Sequence, residues 1–188
     1  WHGKNNDKSE LLTADELEAV SNILGKNYTS AKIIQHDYFN SGGISILFQE
    51  NGSSYSEAVA GSGEVAIVTC IRKVVRAKNS SLILLDEPEV SLHPGAQAAF
   101  RDFLLDQVVK KKHQIVLSTH SPSFIEGLPD KAIKLFFQNS SEGYDIQNKT
   151  RPEQAFIRIG SKLYSDNVIY VEDDLAQLLV VKALKEIG

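Results

Sequence analysis

Two adjacent carboxylates follow directly after a run of aliphatic residues, an arrangement suited to metal-assisted chemistry. The run is Leu82 to Leu85, and Asp86 and Glu87 come next. Four aliphatic residues in succession predict a strand buried on both faces, as in a parallel sheet whose ligands bind beyond the carboxyl ends of the strands. One carboxylate there can hold Mg²⁺ while the next orients or deprotonates an attacking water, as in nucleotide hydrolysis. A plain strand that ends in a polar turn is the alternative interpretation.

A glycine-containing turn upstream of this pair opens a helical pattern. Gly61–Gly63 precede Val65–Arg76, in which apolar residues recur at helical spacing. The start of such a helix exposes backbone N–H groups and the positive end of the helix dipole, which suits a phosphate. Taken alone, the pattern is more often a simple turn.

A second apolar strand follows the carboxylates. The segment 114–122 has the composition of a buried strand that ends in a polar cluster with His120, and residues 96–109 between the two strands have helical spacing. A single histidine at a strand end is more often structural than catalytic. The order helix, strand, helix, strand predicts a parallel sheet with crossover helices.

Together these patterns resemble the second half of an ABC-type ATPase head of the SMC, RecF and OLD group, over residues 55–135. The resemblance implies that Asp86 holds Mg²⁺, that Glu87 is the catalytic carboxylate and that His120 senses the γ-phosphate of ATP. It also implies a signature motif, which contacts the nucleotide of a partner head, and a D-loop, which contacts that head. The implied residues of these two motifs are Gly61, Ser62, Gly63, Glu64, Ser91 and His93. The usual signature has a serine where this chain has Gly61, and the hydroxyl here is on Ser62.

A phosphate-binding loop of the form Gly-x-x-x-x-Gly-Lys-Ser/Thr does not occur in the sequence. ABC heads carry that loop in their N-terminal lobe. Because the sequence starts at Trp1 and contains no methionine, we expect the chain to be incomplete. The Walker A loop would then come from sequence outside it.

A second group of carboxylates lies near the end of the sequence. An apolar segment over 166–171 runs into Glu172, Asp173 and Asp174, and a helical pattern covers 175–187. Carboxylates at a strand end can hold a divalent cation for phosphodiester chemistry. The segment resembles the first strand and helix of a Toprim domain, which implies that Glu172 is catalytic and that Glu172 and Asp174 bind metal. An acidic strand-to-helix turn with an aspartate N-cap is the alternative.

The predicted fold class is α/β, and the resemblance specifies the C-terminal lobe of a parallel-sheet P-loop NTPase of the ABC type. The first β-α unit of a Toprim-like α/β domain follows it. We expect residues 1–10 to be disordered or tag-derived, 11–150 to form the ATPase head, and 151–188 to hold a linker and the start of the Toprim-like domain. That domain would begin near Ser161, and 139–151 reads as a polar loop.

Local signals before the signature motif predict a helix and two strands. Thr13 and Glu16 have the spacing of a capping box, and Gly25 is placed to end the helix that they begin. Strands are predicted over 31–38 and 43–49.

Composition is that of a globular protein, with 42% hydrophobic and 23% charged residues among 188. Cys70 is the single cysteine, which excludes a disulfide framework within the chain. No apolar stretch reaches the roughly 18–20 residues of a membrane helix, so we predict no membrane partner and a cytoplasmic location. The net charge of −4 argues against nonspecific coating of DNA. The basic run Lys110–Lys112 is read as the end of a helix.

The preferred function is an OLD-like ATPase whose ATP binding and hydrolysis gate Mg²⁺-dependent DNA cleavage. The resemblance implies ATP and Mg²⁺ as cofactors, DNA and a second or further copy of the head as partners, and a role in anti-phage defence. Septu-like and retron-associated ATPases belong to the same neighbourhood, so a separate nuclease or reverse transcriptase is a further expected partner. The alternatives are an ATP-sensing scaffold that regulates a separate effector nuclease, and a DNA-repair ATPase head of the RecF kind.

Overall fold

The structure is a computed structural model that describes residues 9–36, 43–138, 143–158 and 174–187. The chain divides into two compact units, Trp1–Pro129 and Asp130–Gly188. The elements of the first unit are β1 (Ser9–Leu11), α1 (Ala14–Leu24), β2 (Tyr28–His36), β3 (Gly43–Glu50), β4 (Ser53–Ser56), α2 (Ser62–Arg76), β5 (Leu82–Asp86), α3 (Pro94–Lys111), β6 (Gln114–Ser118) and α4 (Pro122–Ile125). The elements of the second unit are β7 (Leu135–Gln138), β8 (Tyr144–Gln147), α5 (Pro152–Arg158) and α6 (Asp174–Ile187).

An antiparallel sheet with the strand order β1-β2-β3-β4 forms the first part of the chain. The helix α1 lies between its first two strands in sequence and begins with the predicted capping box, in which Thr13 and Glu16 exchange hydrogen bonds. Gly25 ends α1 with a φ of 63°, a left-handed conformation that glycine adopts without steric cost. These local predictions are confirmed.

The start of the described chain differs from the sequence expectation. Ser9 and Glu10, which fall in the segment expected to be disordered or tag-derived, form β1 and pair with β2. The Glu10 carboxylate also accepts hydrogen bonds from Arg72 and Arg76 on α2. A strand of three residues is too short to show a pattern in the sequence. Its position depends on the partner strand and on arginines distant in sequence.

Strands β5 and β6 form a parallel pair, and α3 makes the crossover between them. The pair is in continuous register from Leu82 opposite Gln114 to Asp86 opposite Ser118. The predicted order of α2, β5, α3 and β6 is therefore confirmed. Both strands end at the same edge of the sheet, so the polar residues that follow them are neighbours.

The core of the first unit lies where α1, α2, α3 and the inner faces of the strands meet. Its buried apolar residues include Val20, Ile23, Ile33, Ile46, Phe48, Ile67, Val68, Ile71, Val74, Phe100, Leu104 and Phe124. The apolar stripe predicted for α2 is buried as expected, because residues three and four apart share one face of a helix.

The prediction that β5 is buried on both faces is wrong. Ile83 and Leu85 pack against the core, whereas Leu82 and Leu84 are 59% and 69% exposed. Val116 on β6 is likewise exposed. Because successive side chains of a strand point to opposite faces, the core covers only alternate residues. The described residues of this chain leave the other face of the pair uncovered.

The second unit contains an antiparallel hairpin whose second strand, β8, falls within the segment 139–151 that the sequence analysis read as a polar loop. Strand β8 pairs with β7 from Leu135 opposite Gln147 to Gln138 opposite Tyr144. Tyr144 and Ile146 alternate with Asp145 and Gln147 in the sequence, but four residues are a short pattern and all four are exposed, so no buried face marks the strand. Cross-strand pairing with β7 defines it instead. Among the described residues, no helix is long and apolar enough to cross a membrane.

Candidate functional site

The edge of the parallel pair brings Asp86 and Ser118 together. These residues are the last of β5 and β6 and lie opposite each other in the register. The Ser118 hydroxyl donates a hydrogen bond to Oδ1 of Asp86. Both residues are exposed, so the second carboxylate oxygen of Asp86 is open to a ligand at the carboxyl end of the sheet.

Glu87 turns sharply away from the strand that precedes it. Its φ is 40°, in the left-handed region that non-glycine residues seldom occupy. The Ser118 main-chain and side-chain oxygens, at 3.2 Å and 3.1 Å, both accept hydrogen bonds from its backbone N–H. Strained conformations persist where the surrounding structure fixes them, and they concentrate at functional sites. Here the strained turn sets the direction of a catalytic candidate.

His120 lies beside Glu87. Its Nε2 is 3.2 Å from Oε1 of Glu87, and the two side chains are 80% and 44% exposed. The pair therefore faces solvent beside Asp86 rather than the core. Three residues that the sequence analysis assigned to one site, Asp86, Glu87 and His120, are connected in the structure through the contacts of Ser118 and this pair.

The signature turn begins α2. Gly61 is the N-cap of that helix, and Gly61 and Ser62 are exposed, whereas Gly63 is buried. A Cβ on Gly63 would lie 2.6 Å from the carbonyl oxygen of Ser91 and 3.2 Å from Cδ2 of Leu92. Glycine is thus required at this position because the D-loop backbone passes directly over it. The structure joins the two predicted motifs through this contact.

The side chain of Glu64 turns inward from the signature turn and is 8% exposed. Its Oε1 accepts hydrogen bonds from the hydroxyls of Tyr28 and Tyr55, the latter at 2.7 Å, and from Nζ of Lys26 at 3.0 Å. Its Oε2 accepts one from the backbone N–H of Gly61 at 2.8 Å. Both carboxylate oxygens are therefore engaged within the protein, and Glu64 holds the turn rather than presenting its charge to a ligand.

These contacts decide the charge of Glu64. Burial by itself raises the pKa of a carboxyl group, but the hydrogen bonds from Tyr28 and Tyr55 and from two N–H donors outweigh it. They lower the pKa of Glu64 to about 2. Burial and the hydrogen bond to Glu64 raise the pKa of the Tyr28 hydroxyl, which keeps it protonated as a donor.

The D-loop residues lie at the surface between Glu87 and α3. Ser91 and His93 are both exposed. His93 is the N-cap of α3, and its Nδ1 accepts a hydrogen bond from the backbone N–H of Ala96 at 3.3 Å. One ring nitrogen of His93 thus has a structural partner, which fixes the ring at the start of the helix.

The second predicted site is described only in part. Glu172 lies outside the described residues, and Asp174 is the first residue of α6. Elsewhere along the described ranges, no group of three or more histidine, cysteine, aspartate or glutamate side chains could hold a metal ion.

The donors at Asp86 suit Mg²⁺ bound together with a phosphate ligand. Mg²⁺ in nucleotide sites takes one or two carboxylates from the protein and completes its octahedron with phosphate oxygens and water. Asp86 offers one exposed carboxylate, and the Ser118 hydroxyl lies against it. A site of this kind does not require a larger cluster of acidic side chains.

Sequence analysis missed Ser118 and the partners of Glu64. Ser118 could have been found, because each apolar run of the predicted parallel pair is followed by a polar residue, Asp86 in one and Ser118 in the other. Parallel in-register pairing places these two residues side by side. No comparable signal marks Tyr28 and Tyr55, since each is one aromatic residue in a different strand of the antiparallel sheet.

Comparison with known protein families gives a match to the AAA ATPase domain over residues 4–125. This match covers more than half of the chain. The chain belongs to the AAA ATPase domain family. The matched region contains the signature turn, Asp86, Glu87 and His120.

Two curated proteins are similar in sequence to this AAA ATPase domain chain. Protein ea59 of Escherichia phage lambda is 32% identical over 83 residues, which are 44% of this chain and 16% of that protein. The OLD nuclease of Thermus scotoductus is 29% identical over 168 residues, which are 85% of this chain and 30% of that protein. The chain therefore spans less than a third of the length of either relative.

Solved structures of SMC proteins share the fold. One, from a study of ATP-driven dimerization and DNA-stimulated activation of SMC ATPases, has a TM-score of 0.57 at 15% identity and covers 77% of this chain and 86% of its own. The Smc head domain of Pyrococcus yayanosii has a TM-score of 0.53 at 16% identity and covers 77% of this chain and 28% of its own. The predicted fold, a P-loop ATPase lobe with a parallel sheet, is confirmed.

Replacing Gly63 by alanine tests the close contact between the signature turn and the D-loop. We expect Gly63→Ala to lower the free energy of unfolding by about 2 kcal/mol, because the new methyl group meets the backbone of Ser91. Gly61→Ser is the matched control, since a Cβ there has its nearest neighbour at 3.7 Å and serine is a good N-cap. Urea unfolding of the purified proteins measures both. Equal stability of the two variants would contradict the contact.

The lowered pKa of Glu64 predicts a specific loss of stability in acid. The folded protein holds this pKa at about 2, below the ordinary value of 4.5, so the contribution is complete above pH 4.5 and is lost as the pH falls toward 2. We expect the wild type to lose more unfolding free energy between about pH 6 and pH 3 than Glu64→Gln does. Glu18→Gln, at an exposed position of α1, should follow the wild type. Parallel curves for wild type and Glu64→Gln would refute the assignment.

Proposed function

We propose that this chain supplies the catalytic carboxylate half of an ATP-hydrolysing head in an OLD-like nuclease. The observation that carries the proposal is the Glu87–His120 pair, 3.2 Å apart, beside Asp86 at the carboxyl end of a parallel strand pair. Membership of the AAA ATPase domain family supports ATP as the substrate. The 29% identity to an OLD nuclease over 85% of the chain supports the wider assignment.

In this function Glu87 orients the attacking water and accepts its proton. The strained turn directs its carboxylate away from the strand, and the two hydrogen bonds from its N–H to Ser118 hold that turn. His120 lies beside the carboxylate and is exposed, so its ring can donate a hydrogen bond to the γ-phosphate and report its presence. Asp86 would hold Mg²⁺, which when bound neutralises charge on the phosphates.

The exposed signature turn and D-loop form the head-to-head surface in this proposal. The N–H groups at the start of α2 suit a phosphate. Ser62 is exposed there, whereas the N–H of Gly61 is already bonded to Oε2 of Glu64. Ser91 lies next to this turn through the contact at Gly63. A head that offers its signature turn to the nucleotide of another head requires self-association, and the SMC ATPase that shares this fold is described as dimerizing with ATP.

The phosphate-binding lysine that hydrolysis requires would come from another segment, since the sequence contains no Walker A loop. We place that segment against the exposed face of β5 and β6, where Leu82, Leu84 and Val116 lie. Burial of these three side chains by a further lobe would stabilise the complete head by removing apolar surface from water.

DNA cleavage is the proposed output of the complete protein. Glu172, with Asp174, would form part of a Toprim metal site that requires Mg²⁺, and ATP hydrolysis by the head would gate cleavage there. A cytoplasmic role in defence against phage, with a separate nuclease or reverse transcriptase as a further partner, follows from the same assignment.

Changing Glu87 to glutamine tests the catalytic assignment. We expect Glu87→Gln in the full-length protein to lower kcat for ATP by about 100-fold or more while ATP still binds, because the amide cannot accept the proton of the attacking water. Phosphate release and nucleotide binding are measured on the same preparation. Asp106→Asn, which removes an exposed carboxylate on α3, should keep wild-type turnover. Hydrolysis at the wild-type rate by Glu87→Gln would overturn the assignment.

Changing Glu172 to alanine separates the nuclease from the ATPase. We expect Glu172→Ala to lose Mg²⁺-dependent nicking of supercoiled plasmid and to retain ATP turnover, because the two carboxylates serve different sites. Glu153→Ala, at an exposed glutamate of α5, is the control and should cleave normally. Plasmid nicking by Glu172→Ala at the wild-type rate would contradict the Toprim assignment.

A further inference from the structure

A buried carboxyl group connects the turn after β5 to the loop after β6. Glu89 is 4% exposed, and its Oε1 accepts a hydrogen bond from the Thr119 hydroxyl. Its Oε2 is buried without a hydrogen-bond partner in the part of the chain that the structure describes. Thr119 immediately precedes His120, so Glu89 contacts the residue that sets the position of the histidine.

Gln97 makes a second connection between the same two segments. Its side-chain nitrogen donates to the carbonyl oxygen of Leu92 at 2.8 Å, and its side-chain oxygen accepts from the Ser121 hydroxyl at 2.6 Å. The Ser121 N–H in turn donates to Oγ1 of Thr119 at 3.0 Å. The two neighbours of His120 in sequence, Thr119 and Ser121, are therefore hydrogen-bonded to Glu89 and Gln97, respectively.

The energetics indicate that Glu89 is not kept for stability. A buried carboxyl group with one hydrogen-bond partner leaves an oxygen desolvated and unpaired, which costs free energy. Replacing Glu89 by an apolar residue of similar volume removes the unpaired oxygen and its desolvation cost. A glutamate that the fold does not need at this place calls for another explanation.

We propose that Glu89, with Gln97, is a positioning residue that couples the D-loop at Ser91 to His120. When a second head docks on the D-loop, the turn containing Glu89 and Leu92 shifts, and the hydrogen bonds to Thr119 and Ser121 carry that shift to the histidine. Head association thereby regulates turnover. This inference rests on the proposed function, because it gives His120 a role in ATP hydrolysis.

The test compares Glu89→Leu with Glu89→Gln in the full-length protein. Leucine removes the acceptor for Thr119, whereas glutamine keeps one. We expect Glu89→Leu to retain or raise Tm, to keep the KM for ATP within about threefold, and to lower kcat about 10- to 100-fold. Glu89→Gln should restore kcat to within about threefold of wild type.

Self-association is measured on the same samples by sedimentation with ATP and Mg²⁺. We expect Glu89→Leu to dimerise as the wild type does while its turnover no longer rises with the dimer fraction. Wild-type turnover per dimer in Glu89→Leu would overturn the coupling, as would an equal loss in Glu89→Gln. The pair Thr119→Val and Thr119→Ser repeats the comparison from the other side of the hydrogen bond, so a poorly folding Glu89 variant does not end the test.

Failure of the coupling and failure of the proposed function give different results. If Glu87→Gln hydrolyses ATP at the wild-type rate, the catalytic assignment fails. If Glu87→Gln is inactive while Glu89→Leu turns over normally at an equal dimer fraction, the ATPase assignment holds and only the coupling is wrong. Asp106→Asn serves as the common surface control.

Discussion

The in-register pairing of β5 with β6 is the constraint on which the candidate site depends. Because Asp86 lies opposite Ser118, the serine hydroxyl reaches the aspartate and both serine oxygens reach the N–H of Glu87. Those contacts hold Glu87 in its left-handed conformation beside His120. A slip of one residue would turn every side chain of the slipped strand to the opposite face of the sheet. The site would then lose its geometry, although every residue of the motif would still be present.

A second constraint acts on the signature turn, which is held by its own capping hydrogen bond and by partners that are distant in sequence. The carboxylate of Glu64 accepts hydrogen bonds from two tyrosine hydroxyls, a lysine and a backbone N–H. The tyrosine bonds link α2 to the antiparallel sheet. Charged hydrogen bonds of this kind are stronger than neutral ones. The backbone of Ser91 also packs so close to Gly63 that a Cβ there would clash with it. The exposed residues Gly61 and Ser62 are therefore held in position by contacts on both sides of the turn.

On the uncovered face of β5 and β6, the burial predicted from the local sequence differs from the burial in the structure. An apolar run such as Leu82–Leu85 is typical of a strand buried on both sides, yet the described residues cover only the side of Ile83 and Leu85. Large exposed apolar surfaces mark places where another segment or molecule binds. The apolar pattern of the run therefore exceeds what the described residues of this chain bury.

Local signals in the sequence determined the capping box of α1, the apolar stripe of α2, the two strands of the parallel pair and the positions of Asp86, Glu87 and His120 at or beyond the strand ends. These features depend on residues within a few positions of one another, where helical and strand periodicities apply. Only the tertiary structure decided the inward direction of Glu64, the contact of Ser118 with Asp86, the connection from Glu89 to Thr119 and the pairing of β8. Three of the hydrogen bonds involved, from Tyr28 to Glu64, from Ser118 to Asp86 and from Thr119 to Glu89, join residues 30 or more positions apart in sequence, which meet through the packing of separate elements. No local periodicity records which distant side chain will face a given residue.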